Sequence, residues 1–212
     1  GMGNATYRAF DATMNGSDLY TCCDTGGEAI ISKYNSSGTE QWCRVISDGS
    51  TSLYPRGITT DSSGNVYVAG YNQGGSNYDV FILKFNSSGV LQWQRKFADQ
   101  GGSYQDLVNG PCIQCDNSGN FYVVLGTLTP NSDSTPRHVM VLKLPDDGSL
   151  TGTYSLTHSG SSAGSYTYSA TSFSDNPRSN FPNIVESTSS HNASTASASQ
   201  TSSVFTVNPS SV

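Results

Sequence analysis

This sequence is short of charge: charged residues make up 12% of its 212 positions, roughly half the share in an average globular domain. Lys and Arg together number 10, thinly spread under a net charge of −6. Nucleic acid needs clustered positive charge to displace counterions, so no nucleic-acid partner is expected. No apolar run approaches the roughly 20 residues of a membrane span, which argues against membrane insertion. The N-terminal Gly1-Met2-Gly3 shows no basic stretch followed by an apolar one, so no signal peptide is legible. Hydrophobic residues are also scarce, at 34%, and the Leu, Ala, Glu and Lys of long amphipathic helices are replaced by Gly, Ser, Thr and Asn. That composition suits short strands joined by tight turns.

A disulfide framework is lacking too. The five thiols, Cys22, Cys23, Cys43, Cys112 and Cys115, are odd in number and irregularly spaced, which is no disulfide framework. Cys112-Ile-Gln-Cys115 has the spacing of half a zinc knuckle or a redox pair, but no second CxxC or nearby His completes it. In a strand, residues three apart point to opposite faces. These cysteines read as small buried thiols, and no cofactor or metal is called for.

What the sequence does have is an internal repeat. The second unit reads Gly57-Ile-Thr-Thr-Asp61-Ser-Ser-Gly64-Asn65-Val-Tyr67-Val-Ala-Gly70, then Asp79-Val-Phe-Ile-Leu-Lys84-Phe-Asn86-Ser-Ser-Gly89-Val-Leu-Gln-Trp93. A third follows as Gly110-Pro-Cys-Ile-Gln-Cys-Asp116-Asn-Ser-Gly119-Asn120-Phe-Tyr122-Val and His138-Val-Met-Val-Leu-Lys143-Leu-Pro-Asp-Asp-Gly148. A worn first copy spans Asn15-Gly-Ser-Asp18-Leu-Tyr20 and Ala29-Ile-Ile-Ser-Lys33-Tyr-Asn35-Ser-Ser-Gly38-Thr-Glu-Gln-Trp42. Each unit predicts four strands, A to D. In the second unit these lie near 57–61, 65–71, 79–85 and 90–97. The A–B and C–D turns carry Asn or Asp followed by Gly, the residues that short hairpins demand. Strand C, Val80-Phe81-Ile82-Leu83, is apolar on both faces, as a sheet packed between two others requires. The Lys that closes it in every unit reads as a packing residue whose ammonium reaches water or a carboxylate.

This pattern resembles the bacterial β-propeller repeat family called SBBP, over roughly residues 8–155. The resemblance implies an all-β, propeller-like array of four-stranded antiparallel blades. It also implies non-enzymatic roles in surface, secreted or virion-associated proteins, and supplies no catalytic residues. Three units are defensible (about 8–50, 53–100 and 103–155), fewer than the roughly four to eight that close a propeller. Residues 156–212 form a Ser/Thr-rich tail that reads either as a stalk or as a degenerate fourth blade. Ser165-Tyr-Thr-Tyr168-Ser-Ala-Thr-Ser-Phe173 alternates like a strand, and Phe205-Thr-Val207-Asn208 echoes the end of strand C.

The Asp61-Ser-Ser-Gly-Asn65 and Asp116-Asn-Ser-Gly-Asn120 turns carry oxygens but lack EF-hand spacing, so they read as hairpins rather than calcium loops. The sequons at Asn4, Asn15, Asn35, Asn86 and Asn192 read as turn chemistry. Recognition is expected on the other end of the meander, in the longer connections 47–56, 72–78, 98–109 and 127–137. These hold Tyr54, Arg56, Asn72, Gln73, Asn77, Tyr78, Tyr104, Gln105, Asp106, Asn131 and Arg137, a set suited to a glycan or protein partner. A purely structural subunit is the alternative, with self-association covering open blade edges. A glycan-active enzyme on the same fold ranks below both.

Overall fold

A computed structural model describes residues 7–74, 77–99, 106–107, 112–127, 138–158, 161–171, 173–177, 185–186 and 203–204. The described residues are strands and turns without a helix. The first sheet is a meander of β1 (Arg8–Asn15), β2 (Asp18–Asp24), β3 (Ala29–Tyr34) and β4 (Glu40–Ser47). The second repeats it with β5 (Ser52–Thr60), β6 (Val66–Gly74), β7 (Asn77–Phe85) and β8 (Leu91–Asp99). The third comprises β9 (Asp106–Leu107) and β10 (Ile113–Cys115), both paired with β11 (Asn120–Thr127), and then β12 (His138–Pro145). All three sheets are antiparallel.

Alternation along each strand explains how the sheets stack. Val66, Val68, Phe81, Leu83 and Phe85 cluster with Tyr20, Cys22, Ala29 and Ile31 of the first sheet. Their sequence neighbours Tyr67, Ala69, Val80 and Ile82 cluster with Ile113, Cys115, Phe121, Val123 and Leu125 of the third. The second sheet is therefore packed on both faces, as the continuous apolar run of strand C predicts. Phe81 and Ile82, adjacent in sequence, are each fully buried but in different cores.

The A strands lie together. Asp11 Oδ2 accepts the Ile58 amide at 3.0 Å, tying β1 to β5. A Cβ at Gly57 would lie 2.8 Å from the Cys112 nitrogen, so β5 passes hard against the chain entering β10. The sheets diverge outward from these inner strands, and each junction is clasped by a tryptophan. Trp42 Nε1 donates to the Ser87 carbonyl at 3.2 Å, and Trp93 Nε1 to the Asp146 carbonyl at 3.1 Å. Each indole reaches across to the C–D turn of the following sheet. There it lies against Gly89 or Gly148, where a Cβ would come within 2.6 or 2.8 Å of the ring.

The four-stranded layout stops at the third sheet. Its expected strand D, β13 (Gly152–His158), pairs not with β12 but with β14 (Ser161–Ala170), and β14 pairs with β8. The third unit has no counterpart of Trp42 or Trp93 to pin a D strand at this point. The alternating tail segment is thus a strand, but it extends the second sheet instead of starting a fourth. β15 (Ser174–Pro177) likewise covers the β4 edge of the first sheet, aided by Arg44 and Asp175 at 3.8 Å. Both additions cap edges that would otherwise expose unpaired backbone groups. A short parallel pair, β16 (Val185–Glu186) and β17 (Ser203–Val204), completes the described strands. No sheet closes on another among the described residues.

None of the five cysteines forms a disulfide, and four are buried. Cys112 and Cys115 share one core: Cys112 precedes β10, so strand alternation does not extend to it and the opposite-face expectation fails. Burial pushes both thiols up to about 12, far from the thiolate range in which cysteines react. Titration of the native protein with a thiol reagent at pH 8 is therefore expected to label the half-buried Cys23 alone on the minute timescale. All five should react in denaturant, and rapid native labelling of Cys112 or Cys115 would contradict the packing.

Candidate functional site

One end of the second sheet carries the tight turns. Asp61 builds its A–B turn: Oδ1 accepts the Ser63 and Asn65 amides, both at 2.9 Å, and Oδ2 accepts Asn65 Nδ2 and the Tyr67 hydroxyl. Asp116 repeats the same pattern in the third sheet. Both carboxylates are spent on protein donors, which accounts for the turns without an ion. Asn35 and Asn86 perform the same task in the C–D turns. Neighbouring turns also join across sheets, through Asn15 Nδ2 to the Asp61 carbonyl and the Ser62 amide to Asn117 Oδ1.

Burial pushes the Asp61 carboxyl up, but the hydrogen bonds from Asn65, Tyr67 and Ser63 outweigh it and hold the group below the usual carboxylate range. A depressed folded value contributes stability above the unfolded pKa near about 3.9, lost as pH falls through the folded value. Asp61→Asn is expected to flatten the loss of stability as pH falls below about 4. At pH 7 it should cost about 1 kcal/mol, because the charged acceptor is partly exposed. Urea unfolding at a series of pH values checks both points.

The repeated lysines lie in this region. Each faces a Tyr across the B–C pairing: Tyr20 with Lys33, Tyr67 with Lys84 and Tyr122 with Lys143. Lys84 Nζ donates to the Asp146 carbonyl of the third sheet at 2.8 Å, and Lys33 pairs with Asp18 at 2.9 Å. Beside Lys84 lies a recess of about 100 Å³ lined by Asp61, Tyr67, Cys115, Asn117 and Asp146. Ligand pockets run to about 300 Å³ or more, so this recess suits structural water rather than a ligand.

The opposite end is different. The β5–β6 register jumps between Pro55 and Gly57, leaving Arg56 as the extra residue of a β-bulge. The β1–β2 register jumps in the same way between Ala9 and Asp11, leaving Phe10. Bulges re-aim side chains, and these two meet: the Arg56 guanidinium carbon lies 4.0 Å from the Phe10 ring centroid. Tyr71 stands 5.0 Å from the same carbon and takes a 2.8 Å hydrogen bond from Nη2 on its hydroxyl. Aromatic contacts continue from Tyr54 to Tyr71 at 5.0 Å and from Tyr71 to Tyr78 at 5.5 Å. Gln73 Nε2 donates to the Tyr78 hydroxyl at 2.9 Å. Arg8 borders the group, 5.1 Å from the Tyr54 ring, and its charge is met by the buried Asp24 at 3.1 Å. Phe10, Tyr54, Arg56, Tyr71, Gln73 and Tyr78 are all half-buried. The result is a half-buried aromatic and amide surface whose polar groups are partly paired with one another.

Four expected residues, Tyr54, Arg56, Gln73 and Tyr78, therefore come together. They sit on strands and not in loops, Arg56 at the centre of β5, because β5, β6 and β7 run further than the turn signals suggest. Asn72 lies on β6 between Leu53 and Asp79 and is buried, so it does not join its neighbours. Asn77 opens β7 and Asp106 opens β9, so both also fall on strands. Tyr104, Gln105, Asn131 and Arg137 lie outside the described residues. Phe10, Arg8 and Tyr71 were missed in sequence. Tyr71 follows Tyr67 and Ala69 along one strand face and was legible in principle, whereas the bulge at Phe10 carries no sequence mark.

Residues 41–80 match the SBBP β-propeller repeat family. The matched stretch runs from β4 through β5 and β6 into β7, so it spans the junction of the first two sheets and includes Tyr54, Arg56, Tyr71, Gln73 and Tyr78. No curated protein matches the chain.

Proposed function

We propose that this chain, carrying a β-propeller repeat, is a non-enzymatic recognition module of a surface, secreted or virion-associated protein. It binds a glycan or a protein at the inner-strand end of its first two sheets. The observation that carries this reading is the convergence of Tyr54, Arg56, Gln73 and Tyr78 with Phe10 and Tyr71 on one half-buried surface. Aromatic faces stack on sugar rings or apolar side chains, while amides and hydroxyls pair with hydroxyls or peptide groups. A rigid sheet holds these groups in place, which lowers the ordering cost of binding. A glycan array probed with the parent protein and with Tyr54→Ala and Tyr78→Ala tests the reading. Signals lost in both variants support it; signals unchanged in both, or none for any protein, count against it.

Assembly is the second reading, favoured by the outer face of the third sheet. Val124, Val139 and Val141 are 45%, 77% and 62% exposed, although the same positions in the second sheet, Ala69, Val80 and Ile82, are fully buried. β12 is also unpaired along its outer edge among the described strands. A copy seated here would cover both. Multi-angle light scattering that finds only monomers across a wide concentration range rejects this role.

A further inference from the structure

Resting on the binding reading above, we infer that Arg56 makes this an acidic-glycan site: the ligand is a saccharide bearing a carboxylate, and Arg56 pairs with that carboxylate. The two arginines of the cluster differ in how their charge is spent. Arg8 gives both Nε and Nη2 to Asp24 Oδ1 at 3.1 Å. Arg56 has no carboxylate within ion-pair distance among the described residues. One of its N–H groups goes to the Tyr71 hydroxyl, and its Nε is buried without an acceptor. Asp11, which follows Phe10 on β1, is already occupied, Oδ1 by the Ala12 amide and Oδ2 by the Ile58 amide.

Phe10, Tyr54 and Tyr71 surround the guanidinium at 4.0–5.9 Å. This cage packs three rings around the cation and buries its Nε while supplying no carboxylate, and the Tyr71 hydrogen bond helps to fix the plane of the fork. A preorganised guanidinium with unspent donors matches a carboxylate, which accepts two parallel N–H bonds. A saccharide fits the rest of the surface. The Tyr54–Tyr71–Tyr78 row offers ring faces for sugar C–H groups, and Gln73 and the Tyr78 hydroxyl stand beside it. The chain as a whole carries a net charge of −6, so general attraction does not draw anions to it. Discrimination has to come from this one site.

Isothermal titration with tri-galacturonate, tri-galactose, inorganic sulfate and an acidic hexapeptide separates the possibilities. Tri-galacturonate is expected to bind at least tenfold more tightly than tri-galactose, and Arg56→Gln to remove that preference. Arg56→Lys, which keeps the charge but not the fork, should retain only part of it. Circular dichroism confirms that each variant is folded, and the two trisaccharides on the parent protein decide the question even if Arg56→Gln is not. Equal binding of the two trisaccharides, both lost in Tyr54→Ala, overturns the acidic preference and leaves the binding reading intact. Sulfate binding as tightly as tri-galacturonate overturns the saccharide, and preference for the peptide replaces it with a protein partner. No binding of any probe, together with an empty glycan array, removes both readings.

Discussion

Gly70→Ala is expected to lower stability by about 3 kcal/mol or more, at the severe end of what overpacking does. The residue sits in the middle of β6, paired with Pro55 beside the Arg56 bulge. A Cβ there would lie 2.2 Å from the Tyr54 carbonyl oxygen, 2.7 Å from Pro55 Cα and 2.7 Å from Phe81 Cζ. Two of these are backbone atoms, which cannot swing aside. Phe81 is fully buried and has no room to retreat. The chain can relieve the clash only by moving β5 away or removing the bulge, and a one-residue shift turns every side chain beyond it to the other face. The substitution therefore acts on the site as well as on stability, because Tyr54 and Arg56 owe their direction to that bulge. Gly27→Ala is the control: the nearest atom to its added Cβ is Ser52 Oγ at 3.8 Å, and its cost should stay within about 0.5 kcal/mol. Urea unfolding of both variants gives the comparison, and equal midpoints would show that the bulge does not hold Gly70 as described.

The contrast between turns and bulges marks what was legible in the sequence. The hairpins at 61–65 and 86–90 were readable because Asp61, Asn86 and the following glycines act on their own backbone, within a few residues. Two-sided burial was readable from Val80-Phe81-Ile82-Leu83, since alternation sends neighbours to opposite cores. The Trp clasps were only half visible. In sequence Gly89 reads as a turn residue, which its φ of 76° supports, but it also makes room for Trp42 of the preceding sheet. The bulges and the path of β13 left no local trace. They depend on how sheets approach one another and on which edge is free, and both are set by contacts between distant residues. The site followed the same rule: its residue types were recognisable, while the gathering of Phe10, Arg8 and Tyr71 around Arg56 was not.

Repeat position alone does not set a residue's worth, and Ile82→Ala against Val141→Ala is expected to show it. Both residues lie two places before the repeated lysine of strand C, so by sequence they are equivalent. Ile82 is fully buried between the second and third sheets, in one core with Tyr67, Phe121 and Val123. Truncating it removes buried methylene and methyl groups and leaves a cavity in a sheet held on both faces, at a cost of about 2–5 kcal/mol. Val141 is 62% exposed on the outer face of the third sheet. It has little apolar area to lose, and its truncation should cost about 0.5 kcal/mol or less. Denaturant unfolding at low protein concentration measures the two values in the isolated chain. If Val141→Ala approaches the cost of Ile82→Ala under those conditions, the outer face is covered within the chain and the assembly reading loses its surface. If its cost grows only as protein concentration rises, a second copy supplies the cover that the third sheet gives the second, and the same position becomes a core residue by association.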